Sequence, residues 1–461
     1  MKNYLYTGIL FAKKETYKIQ AAYGSKNSLI VNFLENKPVK SHSIFDRLTL
    51  EIDGENFELG ECMFKYNPAI PYFSGSLIFI KDVYNFFDIL SLKRTANLET
   101  YFQSLPLAMG RQQKIKESFR EYTSRLTYDL RVYRKYFDEL DEIYRDESSE
   151  VYKIVQKTIL ETEGRKFFSF FDKKLEDLKK ETENFTPEEY EYHAYFFRRQ
   201  VWDLISDSIF LKRTNTKPRG YAGDSEMMAM VYRNSYEGDT IFSMLMHKHP
   251  IETASAQAVR NRKKMISVIT ERARNSFQNL NSGFEILSVA CGPANELENI
   301  FFSPAKCDDY KITLLDQDTE ALSEAASNIS AIENRYDKKI NFQLINESVR
   351  TMLRIKDPAR EWGSFHFIYS MGLFDYLTTR VAQAVLEKLY TLLKPGGWMI
   401  IGNYHEKNPT KNYMDYWGDW VLFYRSEEEF KQIASNISAN SKSVVFEETG
   451  CQMFLIIEKP V

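Results

Sequence analysis

The sequence predicts an α/β protein whose C-terminal half forms a Rossmann-like, doubly wound sheet, preceded by a helical region and a small N-terminal β domain. In the second half, apolar runs of strand length alternate with helical patterns to the end of the chain, which is typical of βαβ units. The first run, residues 286–290, leads into a turn that contains Gly292, and the second, residues 311–315, ends at Asp316. A glycine turn and an acid at neighbouring strand ends indicate a ligand site at that edge of the sheet.

Several domains are expected, because the chain has 461 residues and single cores stop growing near ~250–300 residues. Residues 1–95 have the pattern of a small β-barrel or sandwich. Polar and apolar side chains alternate along residues 47–52, Asp53 and Gly54 supply a hairpin turn, and the alternation resumes at Phe57. A further strand is predicted at residues 76–80.

Residues 96–211 change to a helical period and are predicted to form a helical domain. Seven apolar side chains, three or four residues apart, fall on one stripe of a long helix: Phe119, Tyr122, Leu126, Leu130, Tyr133, Phe137 and Leu140. The stripe can pack against other helices of the same domain, which we favour, or form the seam of a homodimer. A second helix is expected from about residue 149. A third is expected to start at Thr186, with Pro187 in its first turn.

Residues 212–225 contain the glycine, proline, asparagine and threonine of an ordered loop. We interpret this segment as a lid or linker that leads into the sheet domain, residues 226–461. As a lid it would fold over a bound cofactor and bring Tyr221 to the reacting centre. As a linker it would be a structural turn between two domains.

Composition excludes several classes of function. The net charge of −3 gives no overall basic field for nucleic acid. The four cysteines are scattered without a CxxC pair, so neither a disulfide framework nor a zinc site is expected. His247 and His249 lack companion ligands, and no metal is predicted. Without a signal peptide or an apolar stretch of membrane-spanning length, we expect a cytoplasmic protein with no membrane span.

The strand ends of the second half supply the candidate cofactor contacts. The turn after residue 290 is not a GxGxxG motif, so it need not hold a pyrophosphate. Asp316 is placed to accept hydrogen bonds from both hydroxyls of a ribose. Asp318 is expected to cap the next helix, although the two acids could exchange these roles. The predicted cofactor-binding residues are Ala290, Cys291, Gly292, Pro293, Asp316, Gln317, Glu347, Ser348, Ser370 and Met371.

Four such elements, in this order and spacing, resemble the class I S-adenosylmethionine (SAM) dependent methyltransferases over the last ~200 residues. The LxPGG turn at residues 393–397, which leads into a predicted fifth strand, belongs to the same pattern. The resemblance implies a seven-stranded methyltransferase domain with SAM as its cofactor. The alternative is a nucleotide-binding Rossmann domain without methyl transfer.

A narrower resemblance is carried by residues 217–224, 258–262, 372–377, 402–409 and 419–425. These segments are similar to those of a bacterial family described as extracellular factor, or 3-hydroxypalmitic acid methyl ester, biosynthesis proteins. The resemblance implies a PilZ-like N-terminal domain. The first 95 residues lack the RxxxR and DxSxxG patterns by which PilZ domains hold cyclic di-GMP, so that ligand is not expected.

Further polar residues near the predicted strand ends are candidates for the chemistry. Tyr221, Tyr404 and His405 are predicted as catalytic residues, with His405 as a base or as a group that holds an acceptor carboxylate. The predicted substrate-binding residues are Arg219, Asp224, Asp375 and Arg425. The two arginines could pair with a carboxylate or, equally, fix a loop in place. A structural histidine is the alternative for His405.

The favoured hypothesis is O-methylation of a small molecule, namely a fatty or hydroxy-fatty acid carboxylate. The aromatic content, with 33 Phe and 29 Tyr, suits a pocket for an apolar, acyl acceptor. N-methylation of another metabolite and a non-catalytic SAM sensor are the alternatives. No [DNS]PP[YFW] motif follows the fourth strand, where residues 370–373 read Ser-Met-Gly-Leu, so nucleic acid is not an expected partner.

Overall fold

The computed structural model describes residues 6–12, 15–25, 28–35, 39, 43–52, 55–66, 74–80, 114–277, 280 and 283–461. The chain divides into two compact units, residues 1–113 and residues 114–461. The helices that follow residue 114 and the C-terminal sheet therefore belong to one unit. The predicted boundary at residue 96 lies outside the described residues.

The N-terminal unit contains one antiparallel sheet of eight strands in the order β4-β7-β8-β3-β2-β1-β5-β6. The strands are β1 (Tyr6–Ala12), β2 (Glu15–Ser25), β3 (Ser28–Phe33), β4 (Ile44–Phe45), β5 (Arg47–Ile52), β6 (Glu55–Leu59), β7 (Cys62–Tyr66) and β8 (Ser74–Phe79). Only Asp46 separates β4 from β5, so the sheet curls and brings its two ends together.

The alternation in β5 has the predicted consequence. Leu48 and Leu50 are fully buried, whereas Arg47 is exposed, because successive strand side chains point to opposite faces. β5 pairs with β6 in antiparallel register, from Leu48 opposite Leu59 to Ile52 opposite Glu55. The predicted hairpin is therefore confirmed, although its turn at residues 53–54 lies outside the described residues.

In the described part of the second unit, helices fill the chain from residue 117 to residue 276. They are α1 (Glu117–Tyr144), α2 (Ser149–Glu161), α3 (Glu163–Thr182), α4 (Pro187–Gln200), α5 (Trp202–Asp207), α6 (Ile209–Thr216), α7 (Ser225–Arg233), α8 (Ile241–Glu252) and α9 (Ala254–Ser276). The apolar stripe of α1 packs inside this unit: Phe119, Leu126, Leu130 and Phe137 are buried in a core shared with the other helices. The stripe is therefore not available as the seam of a homodimer.

Helix ends agree with the sequence in one place and correct it in another. Thr186 caps α4 through the backbone N–H of Glu189, whose carboxylate returns a bond to the backbone of Thr186. The predicted loop at residues 212–225 is shorter than expected, because α6 continues to Thr216. The α6 helix ends where Lys217 takes a left-handed conformation (φ 46°). Pro218 follows directly and cannot extend a helix.

The C-terminal sheet has seven strands in the order β11-β10-β9-β12-β13-β15-β14. They are β9 (Phe284–Val289), β10 (Tyr310–Asp316), β11 (Asn341–Asn346), β12 (Phe365–Ser370), β13 (Leu393–Tyr404), β14 (Ser441–Phe446) and β15 (Gln452–Glu458). The first five in this order are parallel, and β15 is antiparallel to both of its neighbours. The predicted Rossmann-like sheet and its closing hairpin are thus confirmed.

Helices cover both faces of this sheet, since alternate strand residues enter different cores. Leu287 and Ile401 lie in one core, and Ile286 and Ile400 lie in the other. The helices that follow α9 are α10 (Leu297–Ile300), α11 (Pro304–Asp309), α12 (Thr319–Tyr336), α13 (Val349–Arg354), α14 (Pro358–Trp362), α15 (Thr379–Thr391), α16 (Lys411–Trp417) and α17 (Glu427–Ile433).

Two further observations concern β13 and the helices. The LxPGG segment does not precede β13 as predicted but forms its first residues, with a shift in register between Phe365 and Phe367 of β12. Gly397 lies here because a Cβ atom would approach the carbonyl oxygen of Lys394 to 2.8 Å.

None of the helices within the described ranges combines the length and the apolar character needed to cross a membrane.

Candidate active site

The turn after β9 has an unusual backbone that leaves room for a ligand. Ala290, Gly292 and Ala294 have positive φ angles of 52°, 56° and 51°, which is costly for alanine and clusters at functional sites. A Cβ atom on Gly292 would meet nothing within 4 Å. The glycine is therefore not required by the packing of the protein itself, and its open side is available to a cofactor.

Asp316, at the end of β10, connects this turn to the next strand. One carboxylate oxygen accepts the backbone N–H of Gly292 at 2.8 Å, and the other accepts that of Asp318 at 2.9 Å. Burial raises the pKa of Asp316, and these two bonds oppose the rise. Each oxygen retains a lone pair, so the carboxylate can also accept bonds from a ribose, which is the role that the sequence predicts for it.

Asp318 caps α12, as expected: one oxygen accepts the backbone N–H groups of Glu320 and Ala321. At the end of β11, Ser348 caps α13 through the N–H of Thr351, and Glu347 lies beside it on the cavity wall. The carboxyl ends of β9, β10 and β11 thus present a continuous row of polar groups.

The loop at residues 217–224 is attached to the end of β10. Arg219 contacts three carboxylates, those of Asp318 at 3.1 Å, Glu320 at 2.8 Å and Glu324 at 3.4 Å. The hydroxyl of Tyr221 also donates to Asp318, at 3.4 Å. We call the Arg219 contacts the latch, because they hold this loop over the strand ends.

The far end of the loop lies against a second wall. A Cβ atom on Gly223 would come within 2.7 Å of the hydroxyl oxygen of Tyr376 and 3.2 Å of Trp420. Trp420 donates its indole N–H to the Tyr376 hydroxyl at 2.8 Å. The loop therefore reaches from the end of β10 to a wall formed by the segments around residues 376 and 420.

These elements enclose a cavity of about 620 Å³, a typical size for a small-molecule site. Most of the residues predicted as site residues line it: Arg219, Tyr221, Ala290, Cys291, Gly292, Pro293, Asp316, Gln317, Glu347, Ser348, Met371, Asp375 and Tyr404. The cofactor side is formed by the strand ends. The acceptor side is formed by the loop, the short 3₁₀ helix Phe374–Tyr376 and residues 420–422.

A family model described as a methyltransferase domain matches residues 286–397, from β9 into β13. The chain contains a class I SAM-dependent methyltransferase domain. Its cofactor is SAM, and the open Gly292 turn and the Asp316 carboxylate fit that molecule. The match covers well under half of the chain. The chain finds no match among curated protein sequences.

Three solved structures align with about half of the chain. A protein from Bordetella parapertussis, described as a possible exported protein, is 15% identical over 52% of this chain and 80% of its own, with a TM-score of 0.42. Magnesium protoporphyrin IX methyltransferase from Synechocystis is 9% identical over 51% and 95%, with a TM-score of 0.35. The N-methyltransferase NodS from Bradyrhizobium japonicum is 12% identical over 43% and 97%, with a TM-score of 0.29. Similarity at this level identifies neither the acceptor nor the methylated atom.

Four predicted site residues of the methyltransferase do not line the cavity. Asp224 is buried, its two carboxylate oxygens share the Nε–H of Arg213, and it caps α7. Ser370 donates its hydroxyl to the carbonyl of Val289 at 2.8 Å. Asp224 and Ser370 therefore connect neighbouring elements of the fold. Their contacts are structural, whereas the sequence predicts binding roles for them.

Arg425 and His405 are the other two. Arg425 is buried and donates to the carbonyl oxygen of Phe374 at 2.9 Å and also to that of Leu377, so it fixes the 3₁₀ segment from behind. The His405 ring lies edge-on to Phe446, with ring centroids 5.2 Å apart. An isolated β-bridge pairs His405 with Arg425, and neither residue lines the cavity.

Tyr404 lines the cavity, but its hydroxyl is engaged inside the protein. The hydroxyl donates to the carbonyl oxygen of Ser255 at 2.9 Å, within the helical core. Burial raises the pKa of Tyr404 well above its ordinary value, so the group keeps its proton. The structure therefore assigns Tyr404 to the wall rather than to proton transfer.

Asp375 has the most unusual carboxyl group of the acceptor side. It is 2% exposed, and one oxygen accepts the backbone N–H of Tyr404 at 2.6 Å. Burial raises the pKa of Asp375 to about 7, and the nearby Arg262 and Arg425 only partly offset the effect. Near neutral pH this carboxyl can therefore either donate or accept a proton.

Sequence reasoning missed several wall residues, above all Arg262, Glu296, Tyr376 and Trp420. A signal exists in the sequence for Arg262, Tyr376 and Trp420, because residues 258–262, 372–377 and 419–425 are among the segments that carry the narrower family resemblance. Their roles were not assigned, since no local pattern shows which long-range contacts a helix or loop residue makes. Within the described residues, no group of three or more His, Cys, Asp or Glu side chains is placed to hold a metal ion.

Proposed function

We propose that this protein is a small-molecule O-methyltransferase that forms methyl esters of a fatty or hydroxy-fatty acid. The observation that carries the proposal is the apolar character of the acceptor side, directly next to the cofactor turn. This wall is formed by Tyr376, Leu377, Val381, Trp420 and Leu422. Such a wall favours an acceptor with an extended apolar part.

When bound, SAM supplies a methyl group on a positively charged sulfur, which is transferred by in-line displacement. A carboxylate acceptor is already ionised near neutral pH, so the protein has to orient it and exclude water rather than remove a proton. The Tyr376 hydroxyl accepts its bond from Trp420, which leaves its own hydrogen to donate. Burial raises the pKa of both Tyr221 and Tyr376, so both remain protonated donors.

Turnover of the full-length protein with SAM tests the proposal directly. We would incubate it with saturated and 3-hydroxy fatty acids of increasing length and measure the methyl ester by mass spectrometry. Ester formation should increase with chain length until the apolar wall is filled, and Tyr376→Phe should raise the acceptor KM. Methyl groups recovered only on nitrogen, or on acceptors without a carboxyl group, would contradict it.

Asp375 favours a second candidate, methylation of an amine or hydroxyl group, which loses a proton during the reaction. A carboxyl group with a pKa of about 7 could accept that proton once it is ionised. The pH profile separates the candidates. With an amine or hydroxyl acceptor the rate should rise as the pH passes through about 7, because ionised Asp375 acts as the base. With a carboxylate it should fall, because only protonated Asp375 donates to the acceptor.

Wider features of the proposal rest on the family resemblance or on composition. They are the PilZ-like character of the N-terminal sheet, a bacterial origin and a cytoplasmic location. A sensor without turnover remains the alternative to catalysis. It would bind SAM with the affinity expected of this site but methylate none of the acceptors above.

A further inference from the structure

Arg262, on the α9 side of the cavity, forms no ion pair with any described residue, although the carboxyl groups of Asp375 and Glu296 lie near enough to interact with it electrostatically. Its guanidinium donates to the carbonyl oxygen of Met371 at 3.3 Å and contacts the sulfur of Met228 at 3.4 Å. The Tyr232 hydroxyl also lies beside it. Among the described residues, no carboxylate oxygen lies within the 4.0 Å of an ion pair with Arg262.

Other arginines of this unit differ in this respect. Arg219 contacts three carboxylates, Arg213 pairs with Asp224, and Arg274 pairs with Asp309. Arg262 is partly buried, and a guanidinium whose direct contacts there are all neutral is costly. A bound anion would relieve that cost. Because Arg262 lines the cavity, the missing anion can arrive with a ligand.

Glu296 presents the opposite charge on the same cavity. It directly follows the turn of residues 290–295 and precedes α10. Its carboxylate accepts the Tyr369 hydroxyl at 2.8 Å. No lysine or arginine of the described chain lies within 4.0 Å of it. Burial raises the pKa of Glu296, and its hydrogen bonds together with the nearby Arg262 and Lys263 oppose that rise.

Arg262 and Glu296 therefore line the same cavity with opposite charges, but they lie more than 4.0 Å apart and do not form an ion pair with each other. They flank the place where the glycine turn and the end of β12 meet, since Arg262 bonds to Met371 and lies 3.7 Å from a Cβ built on Gly372. An α-amino acid group has complementary features, a carboxylate and an ammonium on one carbon. SAM carries such a group at its methionyl end.

We infer that Arg262 binds the α-carboxylate and Glu296 the α-ammonium of the methionyl group of SAM. This assignment rests on the SAM site described above and adds residues that lie outside its strand-end motifs. Two ligands could supply the carboxylate that Arg262 binds, and the methionyl group of SAM is one of them. The acceptor's carboxylate is the other source of such a group, so the experiment has to distinguish the two.

Calorimetry with two ligands makes that distinction. S-adenosylhomocysteine contains the amino acid group, and 5′-methylthioadenosine lacks it. For Arg262→Gln and Glu296→Gln of the full-length protein, affinity for S-adenosylhomocysteine should fall about tenfold or more, as expected for loss of a charged hydrogen bond. Affinity for 5′-methylthioadenosine should stay within about twofold of the wild-type value.

Two matched variants serve as controls. Asp316→Asn should weaken both ligands, because both contain the ribose. Lys264→Gln changes an exposed side chain two residues from Arg262 and should weaken neither. Arg262→Lys keeps the charge and should retain part of the affinity, and thermal melting of each variant verifies that it folds.

Three results would overturn the inference. If Arg262→Gln leaves both affinities unchanged but raises the KM of the acid acceptor, the guanidinium binds the acceptor's carboxylate. If both ligands weaken equally, the residue shapes the cavity without recognising the amino acid group. If the wild-type protein binds neither ligand, the SAM site itself fails, and this inference fails with it.

Discussion

The two sides of the cavity differ in how many backbone N–H groups bind their buried carboxyl group. On the cofactor side, burial raises the pKa of Asp316, but the carboxylate accepts two backbone N–H groups, from Asp318 and Gly292, which oppose the rise. On the acceptor side, Asp375 accepts one, from Tyr404, and its pKa rises to about 7. Fixed donors favour the ionised form, whereas burial with few donors opposes it. The cofactor side is therefore preorganised, and the acceptor side has a carboxyl group that responds to pH.

The sides also differ in how the chain builds them. The cofactor side uses the ends of neighbouring parallel strands, which necessarily meet at one edge of the sheet. The acceptor side joins the loop at 217–224, the 3₁₀ segment and residues 420–422, which are far apart in sequence. We therefore expect substitutions on the first side to change SAM affinity and those on the second to change acceptor use.

The largest expected effect is a pH-dependent difference in stability between wild type and Asp375→Asn. The pKa of Asp375 is about 7 in the folded protein and about 4 in an unfolded chain, so the folded state binds the proton more tightly. The wild type should lose stability relative to the variant as pH rises from about 4 to about 7, by up to about 4 kcal/mol. Denaturant unfolding across this interval measures it.

Asp146→Asn, at an exposed position, is the control for that series and should show no comparable slope. A constant difference in free energy between wild type and Asp375→Asn from pH 4 to pH 7 would show that Asp375 ionises normally in the folded protein.

The next largest effect is expected on the cofactor side. Asp316→Ala removes the carboxylate that accepts hydrogen bonds from the Gly292 and Asp318 N–H groups. The same carboxylate is expected to accept hydrogen bonds from the ribose hydroxyls of SAM. Hydrogen bonds to a charged group are worth about 1.5–3 kcal/mol each, so SAM affinity should fall about a hundredfold. Calorimetry measures it, with Asp316→Asn as an intermediate. An unchanged Kd in Asp316→Ala would remove Asp316 from the site.

A smaller effect is expected where the loop meets the acceptor wall. In Gly223→Ala the new methyl group would lie 2.7 Å from the Tyr376 hydroxyl oxygen, so the loop or Tyr376 has to move. Overpacking of this kind costs about 1–3 kcal/mol, and the acceptor KM should rise about tenfold. SAM affinity of the same variant is the internal control. A change in SAM affinity with an unchanged acceptor KM would reverse the assignment of this wall.

The smallest effect is expected for the latch. Arg219 is only 19% exposed in its side chain, but its partner Glu320 is 72% exposed, and exposed pairs contribute about 0–1 kcal/mol. Arg219→Gln should therefore change global stability little but speed proteolysis within residues 217–224, and SAM should slow that cleavage. Arg233→Gln, which loses ion pairs outside the loop, is the control. Equal cleavage rates in both variants would show that the latch does not hold the loop.

Features governed by neighbours in sequence could be predicted. The strand and helix alternation, the cap at Thr186, the cap at Asp318 and the glycine turn all depend on side chains a few residues apart. The position of Asp316 followed as well, because parallel strands place their carboxyl ends together. These features account for the Rossmann-like sheet and for the cofactor side of the cavity.

The site residues whose roles the sequence did not predict correctly depend on partners that are not neighbours in sequence. Asp224 was expected in the site but pairs with Arg213 on α6, and Arg425 was expected to bind substrate but holds the 3₁₀ segment. Arg262 and Glu296 were not assigned at all. The identity of a charged residue does not determine its partner, because that partner is supplied by whichever distant element packs beside it.

By itself, the sequence determined the order of the strands and helices, the turn that admits the cofactor and the acid beside it, since local conformational preferences and the strand period act over a few residues. Only the tertiary structure decided which buried charges are paired and which face the cavity. It also decided how far the loop at 217–224 reaches and which segments form the acceptor wall. Those outcomes depend on packing between residues more than two hundred positions apart, such as Lys217 and Asp419, and no local pattern encodes that proximity.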